Sequence, residues 1–312
     1  VPLAPLGVGQ ILGGAFCYIR ANPVPTLVAV ALIFVGTAVV QGVAQVLPAL
    51  AVGGSIRNTG SVVGVLGLSL LASLISVVVS LLASALVTGL LLVVLRRALL
   101  GRRTSLGEAW QGATRRVWGL VGANLLVGLI VGGIAAAGIL LAFAVGIVGR
   151  RSDGVIAVAV VIGLAVLVVV IYLAVLLSMT PAAYVMEDIG VTAALGRSRT
   201  LVSGSWWRIF GVQLLAGIAL GAIILVILLV LGALFGVGVG SFAQGRSGLS
   251  VAGAVLSGIA LAVFVVIAGT FFTPFVTGVN GLLYTDQRIR RERFDLELAA
   301  RAQGHVGPGS PW

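Results

Sequence analysis

From Ser61 to Leu95 the chain carries no charged residue, and the run ends on Arg96 and Arg97. About 34 uncharged residues make roughly 51 Å of helix, against a hydrocarbon layer of about 30 Å. Such a stretch belongs in a bilayer, where it must tilt, break or project. Ser69, Ser73, Ser76, Ser80 and Ser84 recur within it at three- and four-residue steps, with Thr88 one step further on. At about 100° per residue the serines share an arc of roughly 80° on one helix face. The remaining faces are Leu, Val, Ile, Ala and Gly. A line of small hydroxyls on an apolar helix reads as a helix-packing stripe, with lipid around the rest.

Composition agrees and narrows the class. Of 312 residues 60% are hydrophobic and 9% charged, with a mean hydropathy of +1.24. Soluble domains carry about a quarter charged residues, so this chain is built for a membrane. The basic excess is nineteen arginines with no lysine, dispersed between apolar runs, which argues against a nucleic-acid partner. Cys17 is the sole cysteine, so the chain forms no internal disulfide. The sequence opens at Val1, so its start reads as trimmed, and the first apolar span reads as retained rather than cleaved.

Six apolar spans follow one another: Thr26–Leu47, the serine-striped second span, Gly119–Val148, Val155–Thr180, Ile209–Gly240 and Leu249–Tyr284. Pro181 closes the fourth, and Pro274 marks a kink in the sixth. Three short amphipathic helices are interleaved. The first, Val8–Arg20, gathers Val8, Ile11, Leu12, Ala15 and Ile19 on one face. The second opens at Ser105 with Glu108 three residues on, a capping-box pattern, and gathers Leu106, Ala109, Trp110, Ala113 and Val117. The third follows Glu187 and Asp188 and gathers Val191, Ala194, Leu195, Ser198 and Val202.

The three faces share a register. Adding 98 to the first set gives the second, and adding 183 gives the third. The chain therefore reads as three repeats, about 6–97, 104–180 and 189–285, each an interfacial helix followed by two spans. A cytoplasmic helix at 286–301 completes a single membrane domain over 1–301, and 302–312 reads as a disordered tail. In that helix opposite charges stand four apart, as in Asp286/Arg290 and Arg288/Glu292, pairs worth about 0.2–0.5 kcal/mol each. Fifteen arginines fall on the side of the short helices and the tail. Arg57, Arg150, Arg151 and Arg246 fall on the other. The positive-inside rule then places both termini in the cytoplasm of a multi-pass cell-membrane protein.

Three stretches carry a family resemblance. One is the opening from Leu6 through Gly7, Gly9, Gln10, Gly13 and Gly14 to Phe16, with Arg20, Asn22 and Pro23 after it. Another holds Pro181, Ala182, Glu187, Gly190, Ala194, Leu195, Ser198, Leu201, Trp207 and Arg208. The third, from Leu283 to Leu296, contains Tyr284, Asp286, Arg288, Arg290, Glu292 and Asp295. On these residues the chain resembles actinobacterial proteins of the glycerophosphoryl diester phosphodiesterase membrane-domain family. Gln10 stands where that family often has an acid. In fused members the phosphodiesterase belongs to a separate soluble barrel, and no such barrel is present here. The resemblance therefore implies an integral membrane domain of largely undefined role, and the family name is not read as an activity.

Chemistry-bearing residues are sparse. His305 is the one histidine and lies in a Gly/Pro tail, so neither a metal cluster nor a Ser-His pair is available in the membrane, and no cofactor is implied. Glu108, Glu187 and Asp188 read as helix N-terminal acids beside arginines, with a paired-carboxylate site as the sharper alternative. No Asp, Glu, Lys, Arg or His falls inside a proposed span, which removes the usual mark of coupled transport. Gln41, Gln45, Asn124, Gln213, Thr270, Thr273, Thr277 and Asn280 are among the polar groups left there besides the serines. The Gly128/Gly132, Gly217/Gly221 and Gly232/Gly236 pairs read as close helix contacts. Arg102, Arg103, Arg115 and Arg116 are the candidates for anionic headgroups.

The expectation is an all-α six-span protein, non-enzymatic, that scaffolds partners or organises lipid. Its partners are anionic membrane lipid and a membrane-protein partner or a second copy. The rival is a permease or lipid-handling transporter with a cavity between the repeats.

Overall fold

A computed structural model describes residues 6–53, 59–99, 105–148, 153–235 and 251–292. Every regular element in it is helical: α1 (Val8–Ala21), a π-helical turn (Val24–Val28), α2 (Ala29–Gly53), α3 (Thr59–Leu99), α4 (Leu106–Thr114), α5 (Val117–Val148), α6 (Asp153–Leu177), α7 (Thr180–Glu187), α8 (Val191–Val202), α9 (Trp206–Phe235) and α10 (Val251–Glu292). Six stretches are long and apolar enough to cross a membrane. In hydrocarbon only structures that satisfy their own backbone survive, so uninterrupted apolar runs of this length become helices. The protein is a multi-pass membrane protein.

Local signals act as the sequence suggests. Ser105 caps α4: its Oγ accepts from the Glu108 amide at 3.4 Å, and its own amide donates to Glu108 Oε2 at 3.4 Å. That bond and the Arg97 guanidinium hold the Glu108 carboxyl below the usual carboxylate range. Asn22, Pro23 and Pro25 end α1, and the Thr26 hydroxyl donates to the Asn22 carbonyl at 2.5 Å across the turn.

Two expectations need correction. Pro181 does not end the fourth span's course; the chain breaks at Ser178 and Met179 and restarts as α7, with Pro181 in its first turn. Proline lacks an amide hydrogen that the first turn does not use, so Pro181 fits the opening of α7. The sixth span does not finish at Tyr284. α10 runs unbroken through Pro274 to Glu292, so residues 286–292 of the expected separate helix continue the sixth one. The rest of the tail lies outside the described residues.

Packing is uneven along the spans. α3 and α10 form the centre: 39% and 33% of their apolar stretches are buried, against 6% for α5 and 11% for α9. The core gathers where the short helices lie, with Leu90, Leu91, Leu92 and Leu95 of α3, Ile209 and Val212 of α9, and Phe275, Val279, Leu282 and Leu283 of α10. Towards the other end Leu70, Leu74, Leu129, Leu140, Val161, Val168, Ile223 and Val230 are exposed. One end of the bundle is knit, and the other presents aliphatic faces outward.

Close contacts do not fall at the Gly128/Gly132 or Gly217/Gly221 pairs, and Gly236 of the third pair lies outside the described residues. A Cβ added to Gly128, Gly132, Gly217 or Gly221 meets nothing within 4 Å. Tight approaches occur elsewhere: Gly138 sits against Val166 of α6, Gly278 against Tyr18 of α1, and Gly281 against Leu95 of α3. In a chain with 45 glycines the spacing recurs often, and only a face turned inward makes a contact within the chain.

Candidate functional site

The end of α10 is the hub of the knit side. Thr285, Asp286, Gln287, Arg288 and Ile289 are all buried, although four of them are polar. A buried carboxylate needs charge-paired, hydrogen-bonded surroundings, and Asp286 has them. It accepts from the Leu6 amide at 2.8 Å and from Arg290 Nε at 3.1 Å, and it pairs with Arg208. Arg208 also donates to the Leu6 carbonyl at 2.8 Å. One carboxylate thus ties together the N-terminal segment, the start of α9 and the end of α10.

Glu187, at the end of α7, is the second hub. Arg197 of α8 approaches it with Nε at 2.9 Å and Nη2 at 2.9 Å, and the Tyr284 hydroxyl donates to it. Arg288 and Arg197 both reach on to Glu292. Burial opposes the charge on Arg197, but the bonds and charges of Glu292 and Glu187 outweigh it and hold its pKa above the usual guanidinium range. Next in sequence, Asp188 adopts a left-handed backbone, φ 55°, which acidic side chains tolerate. It pairs with Arg96 of α3 at 3.3 Å and with Arg116 at the start of α5. Arg116 also donates to the Val185 carbonyl at 2.8 Å. Arg97 pairs with Glu108.

The expected residues divide accordingly. Tyr284, Asp286, Arg288, Arg290 and Glu292 meet in this lattice, while Asp295 lies outside the described residues. Arg116 is bound up in it, Arg115 is exposed, and Arg102 and Arg103 lie outside the described residues. The three stretches that carry the family resemblance converge here, through Leu6, through Glu187 and Arg208, and through Tyr284 to Glu292. Sequence spacing shows only the pairs within α10; Arg208 stands 78 residues from Asp286 and Leu6 stands 280 away. The one available signal was the density of charge beside an apolar span.

The serine stripe lies on α3 at the less packed end. Gln41 of α2 donates to Ser80 Oγ at 2.8 Å, and Asn124 of α5 donates to Ser84 Oγ at 3.2 Å. Ser73 turns back to the Ser69 carbonyl at 2.7 Å. Ser73, Ser80 and Ser84 are exposed, whereas Ser76 Oγ is buried without a hydrogen-bond partner. Gln41, Ser76, Val77, Ser80, Leu81 and Ser84 line an open groove of about 530 Å³. The stripe therefore borders a groove over its middle instead of lying wholly under a helix. Deeper in, Gln213 of α9 donates to Ser178 Oγ and to Asn280 Oδ1, each at 2.9 Å.

Aromatic residues mark the level of the knit end. Trp118 and Trp207, at the starts of α5 and α9, are 75% and 78% exposed, as at a membrane–water interface. Trp206 stacks on Phe210 at 5.0 Å and on Tyr172 at 5.7 Å. No group of acids, cysteines or histidines among the described residues has the makings of a metal site.

No curated protein and no solved structure matches the chain. A family model does, over residues 6–281, a match that stops just short of Tyr284. That family's description does not mention glycerophosphoryl diester phosphodiesterase membrane domains. With most of its length matched, the chain belongs to the family described as Domain of unknown function (DUF7847).

Proposed function

We propose that the chain is a non-enzymatic protein of the cell membrane that organises lipid, with anionic lipid held on the side of its short helices. The uneven bundle carries this reading: helices fastened by ion pairs at one end present aliphatic faces at the other, where acyl chains fit. The charge balance supports the anionic preference. On the knit side the described residues include eleven arginines and five carboxylates, Glu108, Glu187, Asp188, Asp286 and Glu292. All five are already paired. The positive excess attracts anionic headgroups by about 1 kcal/mol per residue near the surface. Carboxylates fastened to arginine hold helices together and are poorly placed to shuttle protons, which favours a non-enzymatic role.

The finer architecture belongs to the same reading. The order short helix, span, span occurs at α1–α3, α4–α6 and α8–α10. Ile11 and Ala15, Ala109 and Ala113, and Ala194 and Ser198 occupy matching register positions and are all buried. These features support three repeats whose short helices lie in the interface. They also accord with the resemblance to the actinobacterial glycerophosphoryl diester phosphodiesterase membrane-domain family. The arginine split and the exposed Trp118 and Trp207 support cytoplasmic termini. In a Cys17→Ser background, cysteines at Arg115 and Arg199 are expected to label only after permeabilisation, and one at Gly154 from outside. External labelling at Arg115 overturns this orientation.

The serine-lined groove favours a second reading, a permease for a neutral amphiphile. Mass spectrometry of lipid co-purified in native-lipid particles separates the two. Replacing Arg102, Arg103 and Arg115 with Gln is expected to lower the anionic share. A Ser76→Leu/Ser80→Leu variant fills the groove and is expected to leave that share, and the melting temperature, unchanged. Loss of a specific neutral molecule from the serine variant, with the anionic share unaltered in the arginine variant, moves the assignment to transport.

A further inference from the structure

We infer that a second cavity, between α1, α3 and α10 on the short-helix side, seats one acyl chain of an anionic phospholipid; the inference rests on the lipid-organising reading above. The cavity holds about 430 Å³ and is walled chiefly by Leu6, Gly14, Leu95, Leu99 and Leu282, with Cys17 on its α1 side. That volume lies within the roughly 300–1,000 Å³ usual for small-molecule sites. Two of its polar neighbours hold hydrogen bonds. Gln10 Oε1 accepts from the Gly7 amide at 2.8 Å, and the Tyr18 hydroxyl donates to the Pro274 carbonyl at 3.0 Å. A space lined this way suits hydrocarbon better than a polar ligand.

The sign of the headgroup follows from what stands around it. The chain contains no Asp or Glu before Glu108, so α1 and α2 contribute no acid. Asp286, which meets Leu6 at the cavity's edge, is neutralised by Arg208 and Arg290. Arg20 precedes the lining residue Ala21, is exposed, and forms no ion pair among the described residues. A phosphate headgroup beside Arg20 therefore meets an exposed guanidinium, while its tail occupies the apolar wall.

The sole cysteine provides the test. Neutral maleimide is applied to the full chain in lipid particles, either zwitterionic throughout or containing anionic phosphatidylglycerol. Cys17 is expected to react about tenfold more slowly in the anionic particles, the protection of a site with ligand at roughly nine times its Kd. A cysteine at Val8, half a turn from Cys17 around α1, serves as reference in a Cys17→Ser background. It is expected to react equally in both particles. Gly13 lines the cavity, and a Cβ there meets nothing within 4 Å. Gly13→Leu is thus expected to fill the space and abolish the lipid dependence at Cys17 without lowering the melting temperature. Equal Cys17 rates in the two particles, or equal slowing at Val8, overturns the seat. If Cys17 is unprotected while the arginine variant still loses anionic lipid, the seat fails and the lipid-organising reading stands.

Discussion

Asp286→Ala is expected to destabilise the folded protein by about 3 kcal/mol, the lower end of what breaking a buried ion pair does. Asp286 is fully buried, and its removal strands the Leu6 amide together with two guanidinium groups. Arg208 and Arg290 are partly exposed, 29% and 38% at their side chains, so water recovers some of the loss. Asp286→Asn keeps an acceptor for Leu6 without the charge and should fall between Ala and wild type. Gln287 supplies the control. It is as deeply buried, but both amide atoms lack a hydrogen-bond partner, so Gln287→Met removes no bond and should leave the melting temperature level or raise it. Thermal melts of the three variants in one lipid composition measure the difference. If Asp286→Ala and Gln287→Met melt alike, the carboxylate does not fasten the bundle.

The contrast between these neighbours marks where sequence reasoning stops. Long uncharged runs, the Ser105/Glu108 cap and the short helices are local properties, set by periodicity and by a few residues in succession, so they are legible from the chain alone. The lattice is not. A charged run at the end of a span satisfies its own i,i+4 pairs on paper, as Arg288/Glu292 and Asp286/Arg290 do in the structure. Nothing in that pattern shows that Leu6, Glu187, Arg197 and Arg208 come to the same place. The serine stripe shows the same limit from the other side. Its periodicity is visible, but whether a helix or a groove lies over it depends on the path of α2 and α5.

Gly138→Ala is expected to destabilise the α5–α6 hairpin, and the same change at Gly128 or Gly132 is not. At Gly138 an added Cβ collides with Val166 Cγ2 and lies 2.9 Å from the Val166 Cβ. Valine is β-branched and held to few rotamers in a helix, so α6 itself must give way. Overpacking of this kind costs about 1–3 kcal/mol. At Gly128 and Gly132 the added carbon meets nothing within 4 Å, and alanine there gains up to about 1 kcal/mol of helix propensity. The three variants therefore share one chemical change on one helix and differ only in what faces it. Melting temperatures and size-exclusion profiles in the same particles read both stability and association. A lower melting point for Gly138→Ala alone, with unchanged size for all three, fits the contacts seen here. Should Gly128→Ala or Gly132→Ala instead lower the melting point and reduce the particle's size, that face is an interface between copies of the chain, and the motif was a contact after all.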